Sequence, residues 1–327
     1  FSAVLLGCAE PASFTSQEID LVVACLQRTV GRIDGNRAID PGDRAAFWID
    51  ASHDAPATPW WRRPPPPDTT VRVFSGAPVA DALRELLVRI ETGTSPDALG
   101  LPVFAASAAG HGVLRRLVGY WGAPGKRRFS RRHQNDRGLL CAGLPSLWQL
   151  FREGSGAAVE TSNWMIVNQS PDGCAVRHVS GRTGELAVGD IAAIRAATRT
   201  ESADGKAWQI CIVRWALSEN QEHLELGLQI LSPRALPAIL AQPAKSGERA
   251  RLPVLILPEI KGLRADEWLV APAGELMTSA HAAGAADSFV LVVEKDNIEV
   301  REARSTRLEE QNSVIEIFAI ERVDRSA

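Results

Sequence analysis

The 327-residue chain is poor in cysteine. The five it has, Cys8, Cys25, Cys141, Cys174 and Cys211, never stand as Cys-x-x-Cys. Scattered and odd in number, they argue against a disulfide framework or a zinc site and suit a reducing compartment. The six histidines form no His-x-x-x-His pair, so the helical zinc pattern is missing too. No apolar run approaches the roughly 18 residues that a membrane span needs. No signal peptide is legible, and the expected location is cytoplasmic. Excess positive charge is also lacking. The formal net charge is −3, so the general footprint of a protein that coats DNA or RNA is absent and neither is an expected partner. No phosphate loop, nucleophile elbow or catalytic carboxylate pair is found, and the chain reads as a binding protein rather than an enzyme.

What is present is an ordinary globular balance, 45% hydrophobic and 23% charged, in a length sufficient for two or three domains. The first third reads as an α/β or mostly helical domain. Thr15 and Glu18 fit a capping box, and Ile19, Val22, Val23, Leu26, Val30 and Ile33 follow at helical spacing. Residues 55–70, with Pro64 to Pro67, break the pattern as a stiff extended loop, and Trp60 and Trp61 are expected to tuck against the domain. Further helices are expected from about Ala77 and over 111–121. The short apolar stretches VRVF (71–74) and LPVFAAS (101–107) precede them.

After Gly125 the texture turns to short β-branched segments. WMIV (164–167), GDIAAIRAA (189–197), WQICIVRWAL (208–217) and LELGLQIL (224–231) read as strands of a small antiparallel barrel or sandwich. Residues 236–251 read as a linker. Beyond it, LPVLIL, EWLVAP, SFVLVVE, IEVREAR and VIEIFAI form a second all-β unit. The last alternates apolar and polar residues like a half-buried strand. Two β units of similar length are compatible with a duplicated, degenerate barrel.

Two motifs carry chemistry. The first is the run KRRFSRR at 126–132, with Lys126, Arg127, Arg128, Arg131 and Arg132 charged. A solvated helix face explains such a run blandly; an anion site explains it sharply. Arg rather than Lys predominates, and a planar guanidinium can grip phosphate in two places, pair with guanine O6 and N7, or stack on a purine. The second is Asn168-Gln169-Ser170-Pro171-Asp172-Gly173, directly after WMIV. Asn168 offers an amide to a base edge, Ser170 a compact hydroxyl, and Gly173 either positive φ or close backbone approach. Pro171 and Asp172 favour the turn itself. Alone, each motif is weak.

In this order and spacing the pair resembles the PilZ domain, a bacterial receptor module for cyclic di-GMP. Its signature is Arg-x-x-x-Arg before the first barrel strand, then Asp/Asn-x-Ser-x-x-Gly. The likeness continues through GDIAAIR, CIVRWA and LELGLQILSP, and covers roughly 126–235. It implies a six-stranded antiparallel barrel at 122–235; with the N-terminal domain at 1–121, the linker and the C-terminal all-β domain at 252–327 read from the residues, the chain is expected to be α+β and multidomain. It implies cyclic di-GMP as the ligand, often held in this family as an intercalated dimer, and no cofactor or metal. The ligand residues that the motifs imply are Arg127, Arg131, Asn168, Ser170 and Gly173; Arg128 is expected in support, and Arg132 and Arg177 as further charges beside the site. Ligand phosphates would neutralise the basic run, draw it onto the barrel and so change the interdomain arrangement. The downstream protein partner has no signature in the sequence. An adaptor with a ligand-free barrel that binds proteins is the alternative.

Overall fold

A computed structural model describes residues 1–34, 39–40, 42–67, 70–125, 129–152, 159–183, 186–197, 208–220, 223–241, 251–276, 288–294, 298–312 and 314–323. The chain divides into two compact units, Phe1–Arg128 and Phe129–Ala327.

The first unit contains helices α1 (Ser2–Cys8) and α2 (Ser16–Thr29), strands β1 (Ala46–Asp50), β2 (Thr58–Pro59) and β3 (Val71–Ser75), and helices α3 (Ala77–Glu91) and α4 (Ala108–Gly122). The strands form an antiparallel sheet in the order β2-β1-β3. The capping box opens α2. The Glu18 amide donates to Thr15 Oγ1 at 3.3 Å, and the Thr15 amide donates to Glu18 Oε2 at 2.8 Å. The α2 stripe faces inward through Leu21, Val22, Cys25 and Leu26, while Val23 points out. One core joins these helices to Phe47, Phe74, Leu83, Leu117 and Trp121. The buried Trp121 indole donates to Leu5 O at 3.0 Å, tying α4 to α1.

Two details depart from expectation. LPVFAAS forms no strand: Val103–Ala106 is a 3-10 turn after Pro102, and Ser107 then caps α4 by accepting from the Gly110 amide. The proline-rich break is not wholly a loop either, because Thr58 and Pro59 pair with β1. Trp60 and Trp61 lie half-buried beside it.

The second unit holds two closed barrels. The first comprises β4 (Arg132–Ala142), helix α5 (Leu144–Phe151), β5 (Ser162–Ser170), β6 (Gly173–Ser180), β7 (Ile191–Ala196), β8 (Gln209–Asn220) and β9 (His223–Ser232). Its strand order is β4-β5-β6-β9-β8-β7. Trp164, Val176, Val213, Leu226 and Leu228 fill it. The second comprises β10 (Leu236–Ala241), β11 (Arg251–Leu257), β12 (Glu267–Pro272), β13 (Ser288–Glu294), β14 (Ile298–Gln311) and β15 (Ile315–Arg322). Its order is β10-β11-β12-β15-β14-β13. Counted from its own first strand, each barrel therefore runs 1-2-3-6-5-4, the same topology twice.

The linker expected at 236–251 needs correction. Leu236–Ala241 is the first strand of the second barrel and hydrogen-bonds to β11 and β13. Pro237 sits within the strand, where it pairs with Leu255, so a proline here does not mark a connector. Residues 242–250 lie outside the described residues. β15 also differs from a half-buried strand, since Ile315 through Ile320 are all buried. Ile315 and Ile317 join a core shared with the outer face of the first barrel, where Ile191, Ala193, Ile210, Ile212 and Leu147 meet them. Phe318 and Ile320 fill the second barrel. Glu316 is tolerated there because its carboxylate accepts the Gly274 and Leu276 amides at 3.1 and 2.6 Å.

Candidate ligand site on the first barrel

The two motifs meet at one end of the first barrel. Arg131 immediately precedes β4, and β4 runs antiparallel to β5. The register sets Arg132 opposite Gln169 and His133 opposite Asn168. Cross-strand neighbours lie about 5 Å apart at Cα, so the end of the basic run lies alongside the start of the second motif. Arg127 and Arg128, with Lys126, lie outside the described residues.

The second motif is a tight hairpin. Ser170 ends β5, Pro171 and Asp172 turn, and Gly173 opens β6. The Ser170 hydroxyl lies 2.6 Å from Asp172 Oδ1 and 3.0 Å from Gly173 O, and it is buried. Its proton therefore serves the turn, and only its lone pairs face outward chemistry. Gly173 is explained by close approach and not by positive φ. A Cβ there would stand 2.2 Å from Leu228 O of β9. The Ile230 amide donates to Asp172 O at 2.9 Å and pins the turn to that strand.

Asn168 is different. Its Oδ1 is buried and has no hydrogen-bond partner among the described residues. A buried acceptor without a donor costs about 1–3 kcal/mol, so the position is poised to accept from something added. Arg131 is exposed. Its charge reaches Cys174, the residue after Gly173: burial pushes that thiol up to about 12, and Arg131 pulls the other way. Between the motifs lies a cleft of about 460 Å³, lined by Phe129, Ser130, Arg132, Gln134, Gln169, Ser170 and Pro171. That is within the roughly 300–1,000 Å³ of small-molecule sites.

Arg177 is not brought to the cleft. Four residues along β6, its guanidinium is held by Glu225 of β9 at 2.7–2.8 Å. Conversely, Phe129, Gln134 and Gln169 line the cleft without having been singled out as ligand residues. Phe129 and Gln169 stand inside the two motifs, between residues that were. Among the described residues no cluster of His, Cys, Asp and Glu could hold a metal, and no helix is long and apolar enough to cross a membrane.

Residues 149–237 match one family model, that of the middle PilZ domain of the cyclic-di-GMP receptor FimW. Most of the first barrel is thus similar in sequence to a PilZ domain. The matched stretch runs from within α5 through β9 and includes the Asn-x-Ser-x-x-Gly hairpin, but leaves out β4 and the basic run. No curated protein matches the chain in sequence. Solved structures similar to it include the Borreliella burgdorferi PlzA protein in complex with c-di-GMP, at 11% identity and TM-score 0.20, over 59% of this chain and 88% of that one. The Bacillus subtilis inhibitor of motility MotI/DgrA gives 12% and 0.19, over 58% and 90%. MrkH, a c-di-GMP-dependent transcription regulatory factor, gives 11% and 0.21, over 62% and 91%. At such identities and scores these likenesses have no bearing on what this chain binds.

Proposed function

We propose that this chain is a cyclic di-GMP receptor whose PilZ barrel takes the nucleotide in the cleft between β4 and the β5–β6 hairpin. The unpartnered Asn168 Oδ1 beside the arginine-rich entry carries this reading. A guanine edge presents N–H donors, which is what a buried lone acceptor lacks. The two phosphodiester monoanions of cyclic di-GMP are natural partners of exposed guanidinium groups, which grip a phosphate in two places. Arg131 and Arg132 are assigned to phosphate or guanine. Arg127 and Arg128 join them on sequence alone, and one is assigned to stack on a second, intercalated ligand molecule. Ser170 and Gly173 shape the hairpin and are not assigned direct ligand contacts. Arg177 is left to Glu225.

The same charges suggest the signalling step. Residues 126–132 are the covalent connection from the N-terminal unit to the barrel. Like charges packed there repel, and phosphate relieves the repulsion. Drawing the run onto the barrel is the step by which occupancy passes to the N-terminal unit, as in other ligand-ordered switches.

Titration calorimetry with cyclic di-GMP tests the reading. Arg131→Ala and Asn168→Ala should each weaken binding about tenfold or more, the scale of one hydrogen bond to a charged or buried group. Binding that stays undetectable at ligand concentrations on the order of tens of micromolar sinks the proposal. Wild-type affinity in both variants refutes the cleft while leaving receptor function standing.

A further inference from the structure

Glu310 belongs to the second barrel, yet the first barrel holds its carboxylate. Arg214 of β8 donates from its two terminal nitrogens to Glu310 Oε1 and Oε2 at 2.8 and 2.9 Å. Its third donor, Nε, reaches Gln229 Oε1 at 2.6 Å. Gln229 stands on β9 opposite Gly173, the glycine of the ligand hairpin. The next residue, Ile230, donates its amide to Asp172 of the same hairpin. Three side chains thus lead from β14 to the strand that pins the motif turn. A second contact lies beside them: Asn312 Nδ2 donates to Gly189 O at 2.8 Å, and the Gly189 amide donates to Val213 O, next to Arg214.

A two-pronged guanidinium–carboxylate pair fixes the plane of both groups, unlike a single-point charge pair. Here both partners are half-buried, with 38% and 29% of each side chain exposed, so solvent screening is reduced. Fixing the Arg214 plane fixes Nε, and Nε sets Gln229.

Among its described residues, the second barrel differs at this place. The equivalent place, between the entry to β10 and the β11–β12 connection, has Glu259, Asp266 and Glu267 facing Arg234 and Arg322. Excess carboxylate repels a phosphodiester anion. The second copy of the fold therefore has an indirect part to play.

We propose that the second barrel braces the ligand hairpin of the first through Glu310, with Arg214 and Gln229 as positioning residues. The effect on affinity rests on the ligand reading above; the bracing does not.

Hydrogen exchange on the full chain, without ligand, tests the brace. Glu310→Arg and Arg214→Glu should each speed exchange of the Ile230 amide about tenfold, and the double exchange of charges should restore it. Glu310→Gln is the milder variant should a charge reversal unfold the protein. Unchanged Ile230 exchange in Glu310→Gln and Glu310→Arg overturns the brace, as does a loosening that the double variant fails to rescue. In parallel, cyclic di-GMP should bind about five- to tenfold more weakly to each single variant and recover in the double, a typical coupling between distant groups. If the wild type binds no cyclic di-GMP, the ligand reading fails and exchange alone decides the brace. If exchange rises while affinity holds, the hairpin is braced but affinity does not depend on it, and that half of the proposal falls.

Discussion

Gly173→Ala puts the geometry of the ligand hairpin to a quantitative test. A Cβ at position 173 would lie 2.2 Å from Leu228 O, whereas ordinary contact begins near 3.4 Å. Strand β9 would have to withdraw by more than 1 Å (3.4 less 2.2). The obstructing atom is a backbone oxygen, so no rotamer change relieves the overlap. β9 is also bonded on its other edge to β8 within a closed barrel. The cost should therefore reach the upper end of overpacking penalties, about 3 kcal/mol. With a urea m-value of about 2–3 kcal/mol/M for an array of this size, the midpoint falls by about 1 M. Fluorescence of Trp164, fully buried on β5 inside the same barrel, contributes to the signal of this transition. Cyclic di-GMP affinity should fall with it, because Asn168 lies on the β5 arm of the hairpin that moves. A midpoint shift under about 0.3 M with undiminished affinity would refute the claim that β9 pins the motif.

Two further predictions concern titration. Burial pushes the thiols of Cys8, Cys25 and Cys174 up to about 12 and that of Cys141 to about 11, and raises Cys211 as well. At pH 8 a thiol with pKa 12 is ionised in about one molecule in ten thousand, so Ellman's reagent should label the native chain negligibly and all five cysteines after unfolding; rapid release of one native equivalent contradicts this. In the first unit, burial lowers the His111 pKa from 6.5, and its Nε2 is buried without a partner among the described residues. The unfolded chain then binds the proton more readily, so stability is full above about pH 6.5 and declines as pH falls from there towards the folded value. His111→Gln should flatten that decline in thermal melts between pH 7 and 5, and an unchanged slope would rule His111 out as its cause.

Much of the fold was legible because local physics suffices for it. The Thr15–Glu18 box, the α2 and α3 stripes and most of the β5–β9 strands follow from capping and periodicity alone. Errors fell where tertiary contact overrides local signal. Leu236–Ala241 carries a proline and looks like a connector, but it completes a barrel. Ile315–Ile320 alternates in sequence yet is buried on both faces, because a neighbouring barrel covers the outer one.

The site divides the same way. Sequence alone determined that arginines and an Asn-x-Ser-x-x-Gly turn occur in order near a domain junction, since residue type and spacing are properties of the chain. Only the tertiary structure decided which of them share a place. The β4–β5 register brings Arg132 and His133 to Gln169 and Asn168. Strand β9 supplies Glu225, which holds Arg177 away from the cleft, and Leu228, which forbids a side chain at Gly173. The physical reason is that strand pairing is non-local: the partners named here, 35 or more residues apart in sequence, stand about 5 Å apart in a sheet, and no local pattern encodes which partner a strand will find.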